Sequence, residues 1–264
     1  MSIELKRVSK RFVDNVVLDG VDFFVAEGET VALLGPSGVG KSVLLKHIIG
    51  LIKPDAGEVW VDGQQVPLLG RKALALLRSR IGYVFQNGAL FDSMDVFENI
   101  RLGITDEEQN ADKDYCIQRV RECLRLVNLN EDVGGKFPSE LSGGMRKRVG
   151  ISRAIAGKPV YLLYDEPTSG LDPVNADVID SLIERLQDEI GVTSVVVTHD
   201  VRGAFRVADR IALLSKAKIR AVGTAEEIIA SKDPVVQQFL ERDLEMAVIQ
   251  ANEVPTAERR IGGR

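Results

Sequence analysis

Several absences narrow the field first. No run of about 18 consecutive apolar residues, the least that crosses a bilayer as a helix, occurs in the chain, so no segment is expected to span a membrane alone. Cysteine is scarce: Cys116 and Cys123 are the only two, without a C-x-x-C pair or a neighbouring histidine. That is the pattern of buried thiols in a reducing compartment, not of a zinc cluster or a disulfide framework. Positive charge is not in excess, 34 Lys and Arg against 39 Asp and Glu for a net −5, which argues against a general nucleic-acid binder. The opening Met1-Ser2-Ile3-Glu4 has neither the basic flank nor the apolar core of a secretory leader, so a cytosolic location is expected.

What is present centres on Gly35-Pro36-Ser37-Gly38-Val39-Gly40-Lys41-Ser42, which fits G-x-x-x-x-G-K-[ST]. An apolar run, Val31 to Leu34, leads in as a buried strand, and a helix from Lys41 to Ile49 leads out and stops at Gly50. Glycines let the backbone curl so that several N–H groups point inward, and the helix start adds its positive dipole end. Such a loop cradles a polyphosphate, with Lys41 reaching the β/γ oxygens and the Ser42 hydroxyl available to Mg²⁺.

Around that loop, 264 residues with 45% apolar composition suffice for one large domain or two small ones. Ile3 to Val25 alternates as two or three antiparallel strands, with turns at Asp14-Asn15 and Glu27-Gly28-Glu29. Phe12 serves, from position alone, equally as a base-stacking platform or as a core aromatic. Glu58 to Gly63 reads as a strand, Leu68 to Arg80 as a helix, and Ile81 to Phe85 as a short buried strand with Gln86 at its carboxyl edge. Polar loop residues are common there, but in a parallel sheet that edge is also where ligands sit.

Residues 87 to 158 change character, being helix-rich and more charged. Ile117, Val120, Leu124 and Val127 fall at helical spacing within Asp112 to Val127, and Thr105 to Asn110 is an acidic loop. Ser142-Gly143-Gly144 precedes a helix opening with Met145-Arg146-Lys147-Arg148-Val149. That is either a second anion-binding helix start or a flexible turn with a solvated cationic face. From Val160 the α/β pattern resumes. Val160 to Tyr164 is apolar throughout, as in a strand covered on both faces, and ends in Asp165-Glu166. Acidic residues at that edge suit Mg²⁺ at Asp165 and a water oriented or deprotonated by Glu166. Ser194 to Thr198 is another such strand and ends at His199, either structural or within reach of a γ-phosphate; His47, inside the first helix, reads as structural. Asp177 to Leu186 is an amphipathic helix through Val178, Leu182, Ile183 and Leu186, and Arg210 to Leu214 reads as the last core strand. After Asp243 the pattern is lost, and residues 243–264 read as an extension outside the core.

In this order, Lys41 in its loop, Gln86, Leu141-Ser142-Gly143-Gly144, Asp165-Glu166, Ser169-Gly170-Leu171-Asp172 and His199 resemble the full motif set of the ABC-transporter ATPases, over residues 1 to about 242. The resemblance implies a head-to-tail homodimer with two ATP molecules and Mg²⁺ between the copies. It implies that residues 35–43, Gly35, Pro36, Ser37, Gly38, Val39, Gly40, Lys41, Ser42 and Val43, hold the phosphates, and that Ser142, Gly143 and Gly144 approach the nucleotide of the other copy. By the same likeness Phe12 stacks on adenine, Ser42, Gln86 and Asp165 face the metal, Glu166 is the general base, His199 meets the γ-phosphate, and Asp172 links the two sites. The expected fold class is α/β: a P-loop NTPase core with a mostly parallel sheet, an N-terminal antiparallel β-subdomain, and a helical subdomain inserted at about 87–158.

The chain also departs from the commonest wording of that family. Val43 stands where many members have Thr or Ser, Met145 where many have Gln, and Tyr164 lies in the strand ending at Asp165. A thioether does not hydrogen-bond as an amide does, but Ser142 and both glycines remain, so activity is expected to survive. With Asn87 to Asp92 and Asp233 to Phe239, these features are similar to the Mla/Mce-associated phospholipid-transport ATPases. That likeness implies an ATP-hydrolysing subunit on the cytoplasmic face of a bacterial inner membrane, with permease chains and Mce-domain lipid-binding proteins as partners. The alternatives are a non-transport ATPase regulating a membrane partner, as in cell division, and the ATPase of a small polar-solute importer.

Overall fold

The computed structural model describes residues 2–13, 15–105 and 113–241. The expected turn at Asp14, most of the acidic loop through Asn110, the helix start at Asp112 and the extension 243–264 lie outside the described residues.

Two sheets carry the architecture. The first, in spatial order β2-β1-β4-β5, is antiparallel: β1 Ile3–Phe12, β2 Asn15–Val25, β4 Ala56–Val61 and β5 Gln64–Gln65. The second runs β10-β9-β3-β8-β7-β6, from β3 Thr30–Leu34, β6 Ile81–Val84, β7 Tyr161–Asp165, β8 Thr193–Thr198, β9 Arg210–Ser215 and β10 Lys218–Gly223. Its strands are parallel except β10, which returns antiparallel to β9. Arg210 to Leu214 is therefore not the last strand. The turn Lys216-Ala217, both at positive φ, sends the chain back along an edge whose alternating exposure hid the strand in a search for apolar runs.

The central strands explain themselves by period two. In β3, Val31 and Leu33 face one way and Ala32 and Leu34 the other; in β7, Tyr161 and Leu163 oppose Leu162 and Tyr164. One face meets the antiparallel sheet and α1 (Lys41–Ile48) through Leu5, Val25, Leu44 and Ile48. The opposite face of β7 and β8 is covered by α3 (Val96–Arg101), α4 (Lys113–Leu126) and α5 (Gly143–Ala156) of the helical segment, and by α6 (Pro173–Ile190) after β7. The remaining helices are α2 (Arg71–Ser79), α7 (Val201–Val207) and α8 (Ala225–Ile229). Among the described residues of 87–158 there are helices and no strand. A polar clasp joins the two sheets, with Asp62 beyond β4 accepting from the Tyr161 hydroxyl and pairing with Arg80 at 2.6 Å.

Two helix faces differ from the periodicity expected. On α4 the buried stripe is Cys116, Val120, Cys123, Leu124 and Val127, while Ile117 is exposed, because both cysteines act as small apolar residues and turn the stripe back by one position. Both are free thiols, and burial pushes the Cys123 thiol up to about 11. On α6 the stripe is Ile179, Leu182, Ile183 and Leu186, which leaves Val178 in solvent.

Leu163 has no exposed surface and sits mid-strand between β6 and β8. Leu163→Ala is expected to cost about 2–5 kcal/mol in urea unfolding, and a loss below ~1 kcal/mol would contradict that placement.

Candidate functional site

Parallel strands end together, so β3, β7 and β8 deliver their carboxyl ends to one edge. The loop Gly35–Gly40 leaves β3 there and runs into α1. Gly35 at φ 157, Gly38 at φ 79 and Gly40 at φ 113 set its curl. A Cβ on Gly35 would lie 2.3 Å from the Leu214 carbonyl, and one on Gly40 would lie 2.6 Å from Val17, so the loop is pressed onto its neighbours and only glycine fits.

Lys41, at the first position of α1, folds its buried ammonium back over the loop. Its Nζ donates to the carbonyls of Gly35 (2.6 Å) and Pro36 (3.1 Å) and pairs with Glu166 Oε1 at 3.1 Å. The next side chain, Ser42, donates to Asp165 Oδ1 at 2.6 Å. Glu166 follows β7 in a left-handed conformation, φ 51, and its second oxygen meets His199 Nδ1 at 2.8 Å. Burial pushes the Glu166 carboxyl up, but the His199 hydrogen bond and the Lys41 charge together hold it below its ordinary value. The hydrogen bond to Glu166 raises His199 above the usual imidazole value, against a smaller opposing effect of desolvation.

These five residues, expected from the sequence, are thus brought together by direct contacts. Gln86 lies at the same edge but donates its amide to Ser169 Oγ at 3.2 Å. Phe12 ends β1, 43% exposed, with the Lys10 ammonium 5.3 Å from its ring centre. Lys10 is pinned in turn to Asp55 at 2.8 Å, beside a cleft of about 660 Å³ that reaches Gly38 and Val39. Val43 packs into the core, and its carbonyl receives His47 Nδ1 at 2.6 Å. Ser142 caps α5, accepting from the Met145 N–H at 3.2 Å, and Asp172 caps α6, accepting from Asn175 at 3.0 and 2.6 Å. The two caps adjoin, since a Cβ on Gly144 would lie 2.8 Å from Asn175 Oδ1. Ser142 and Gly143 themselves face outward.

Two residues escaped the sequence reading. Tyr83, taken there as one residue of a buried strand, donates its hydroxyl to Asp165 Oδ2 at 2.9 Å, so both oxygens of that carboxylate are held. Lys147, expected on a solvated cationic face, is buried and donates to the carbonyls of Gln86 and Glu166. Nothing in the alternation of β6 marks Tyr83; a tyrosine three strands from β3 and its loop can reach Asp165 only because β6 and β7 pair in parallel register.

The donor set fits a magnesium–triphosphate. A buried ammonium, a loop that curls through left-handed glycines and a hydroxyl–carboxylate pair supply what polyphosphate and a hard cation need. Ser42 and Asp165 are the residues that would face the metal, and Lys41 the phosphates.

The Glu166–His199 pair sets a pH window. His199, raised above 6.5, adds stability that is full below that value and is lost as pH climbs through the folded pKa. Glu166, lowered below 4.5, adds stability that is lost as pH falls through its folded pKa. Without added nucleotide, the melting temperature is expected to fall as pH rises above about 6.5, the ordinary imidazole value from which His199 is raised, and His199→Gln should remove part of that fall. Identical profiles for the two proteins would exclude the coupling.

Known proteins resemble this chain in sequence and fold. The family model described as ABC transporter matches residues 18–169, more than half of the chain. A sulfate/thiosulfate import ATP-binding protein, CysA of Caulobacter vibrioides, is 43% identical over 231 residues, 86% of this chain and 66% of that protein. The intermembrane phospholipid transport system ATP-binding protein MlaF of Haemophilus influenzae is 39% identical over 238 residues, 90% of this chain and 89% of that one. The dimeric, post-hydrolysis ATP-binding cassette MJ0796, bound to ADP and Pi, superposes with a TM-score of 0.74 at 34% identity over 84% of this chain and 98% of its own. With the phosphate loop, the acidic strand end and the fold in agreement, the chain belongs to the ABC transporter ATP-binding family and is an ATPase that uses ATP with Mg²⁺.

Proposed function

We propose that this ATPase powers movement of phospholipids between membranes, as a homodimer docked on permease chains at the cytoplasmic face of an inner membrane. Among the described residues no helix is long and apolar enough to cross a membrane. The observation that carries the lipid reading is the signature wording, Met145 with Lys147 after Leu141-Ser142-Gly143-Gly144, together with likeness to a protein named for intermembrane phospholipid transport. The 43% identity to a sulfate importer favours a second reading, import of a small anion. Mce-domain proteins are partners on the first reading only. The working unit is residues 1–242, with the helical subdomain at 87–158 turned toward the permease.

The roles given to the site residues are those that membership of the family implies. When bound, Mg²⁺ neutralises phosphate oxygens and fixes their geometry. Lys41 draws the β/γ oxygens, Ser42 and Asp165 face the metal, and Tyr83 fixes the Asp165 carboxylate. Phe12 stacks on the base, and Gln86 reaches the metal and the attacking water. Glu166 takes that water's proton on its carboxylate, and His199 orients Glu166 and meets the γ-phosphate. Ser142, Gly143 and Gly144 meet the nucleotide of the second copy, and Asp172, bonded beside them, joins the two sites.

The Lys41–Glu166 pair gives this scheme a built-in order. With Lys41 at 3.1 Å, Glu166 is a weak base, because the neighbouring cation stabilises its carboxylate form. As Lys41 turns to phosphate oxygens, Glu166 loses that cation, its proton affinity rises, and it becomes a better base once phosphate is in place.

Copurification from native membranes tests the transport reading. Permease and Mce-domain proteins with bound phospholipid are expected, whereas a solute receptor with sulfate-stimulated ATPase and no lipid would replace it by the second reading. Within the site, Lys41→Ala should weaken ATP binding, while Glu166→Gln should keep ATP binding and lose at least about a hundredfold in kcat. Parental turnover in Glu166→Gln would remove the base assignment.

A further inference from the structure

Lys147 is a buried cation that the chemistry above does not use. It is 6% exposed on the first turns of α5, and its ammonium is shared between the Gln86 carbonyl and, at 3.2 Å, the Glu166 carbonyl. Burying an ammonium is unfavourable unless acceptors meet its protons, and here both acceptors belong to the backbone of the nucleotide edge. Desolvation lowers its pKa, opposed by the charge of Glu166.

The same helix grips the rest of the loop after β6. Arg153 donates to the carbonyls of Ala89 and Gly88, each at 2.8 Å. A Cβ on Gly150 would lie 3.0 Å from the Gly88 Cα, and one on Gly88 would lie 3.0 Å from the Arg146 carbonyl. Helix α5 and residues 86–89 are therefore one mechanical piece. Glu166 is held differently: its N–H donates to the Val197 carbonyl at 2.8 Å, and its left-handed φ of 51 is one that a glutamate keeps only under constraint. Lys147 supplies a constraint on the far side of that residue.

We propose that Lys147 is a positioning residue that ties the helix opened by Ser142 to the backbone of Glu166. A displacement of α5, imposed from the nucleotide facing Ser142 or from a partner on the 86–89 loop, then re-aims the Glu166 carboxylate in the same chain. This rests on the assignment of Glu166 as base and of Ser142 as facing a second copy's nucleotide. It adds a path between the two sites that runs through one ammonium.

The test uses the full-length protein. Lys147→Met keeps the length and apolar stem but removes every donor, while Lys147→Gln keeps an amide donor on a shorter stem. The expected result is a loss in kcat of about tenfold or more for Lys147→Met and about threefold for Lys147→Gln, with KM for ATP within about twofold and unchanged melting temperature in each. Parental kcat in Lys147→Met, equal losses in the two variants, or a loss that travels with lowered melting temperature and weakened ATP binding would each overturn the proposal. Should Lys147→Met fail to fold, Lys147→Gln is read alone: reduced kcat at constant KM supports the tie, and parental kcat ends it. Glu166→Gln measured alongside separates this outcome from failure of the base assignment, which that variant alone reports.

Discussion

The Glu166 carboxylate holds partners from two different elements, the Lys41 ammonium beneath one oxygen and the His199 imidazole against the other. A carboxylate at this depth is tolerable only because both are there. The phosphate loop, the end of β7 and the end of β8 are therefore fastened to one another through a single side chain. The fastening is also exchangeable. A polyphosphate offers Lys41 more negative charge than one carboxylate does, so the Lys41–Glu166 contact is one that a phosphate can displace.

The sheets make that convergence cheap to maintain. Residues alternate between two cores along β3, β7 and β8, so the strands that carry Asp165 and His199 are packed on both faces and fixed in register. The clasp of Asp62 with Tyr161 and Arg80 does the same between sheets, holding the antiparallel layer, with Phe12 at its edge, against the parallel one. Distances at the nucleotide edge are thus set by strand pairing rather than by loops, and the left-handed backbone at Glu166 is the point where the chain departs from regular geometry to aim a side chain at that edge.

Legibility in the amino-acid order followed the physics of each signal. Glycine spacing around Lys41, apolar runs ending in acidic or imidazole side chains, and the Ser-Gly-Gly helix start are local patterns, and Lys41, Ser42, Asp165, Glu166 and His199 are all legible in them. What was hidden depends on contacts distant in sequence. Tyr83 reaches Asp165 across 82 positions, and Lys147 reaches Gln86 across 61, and neither carries a spacing that distinguishes it from a strand aromatic or a surface lysine. Strand β10 was missed because an edge strand exposes every second residue, and the helix faces at Ile117 and Val178 slipped by one because a single turn of apolar residues fits two phases.

Gly88 and Gly150 meet as main chain on main chain, with no side chain of their own between them. An interdigitated seam can absorb a shift of an ångström by letting a side chain change rotamer; bare backbone has no such slack. Motion arriving at this crossing is handed on without play, in the manner of meshed teeth rather than of a cushion. A methyl group added on either side would be grit in the mesh, pressing on the opposite main chain and, at Gly88 with its φ of 72, straining its own backbone as well.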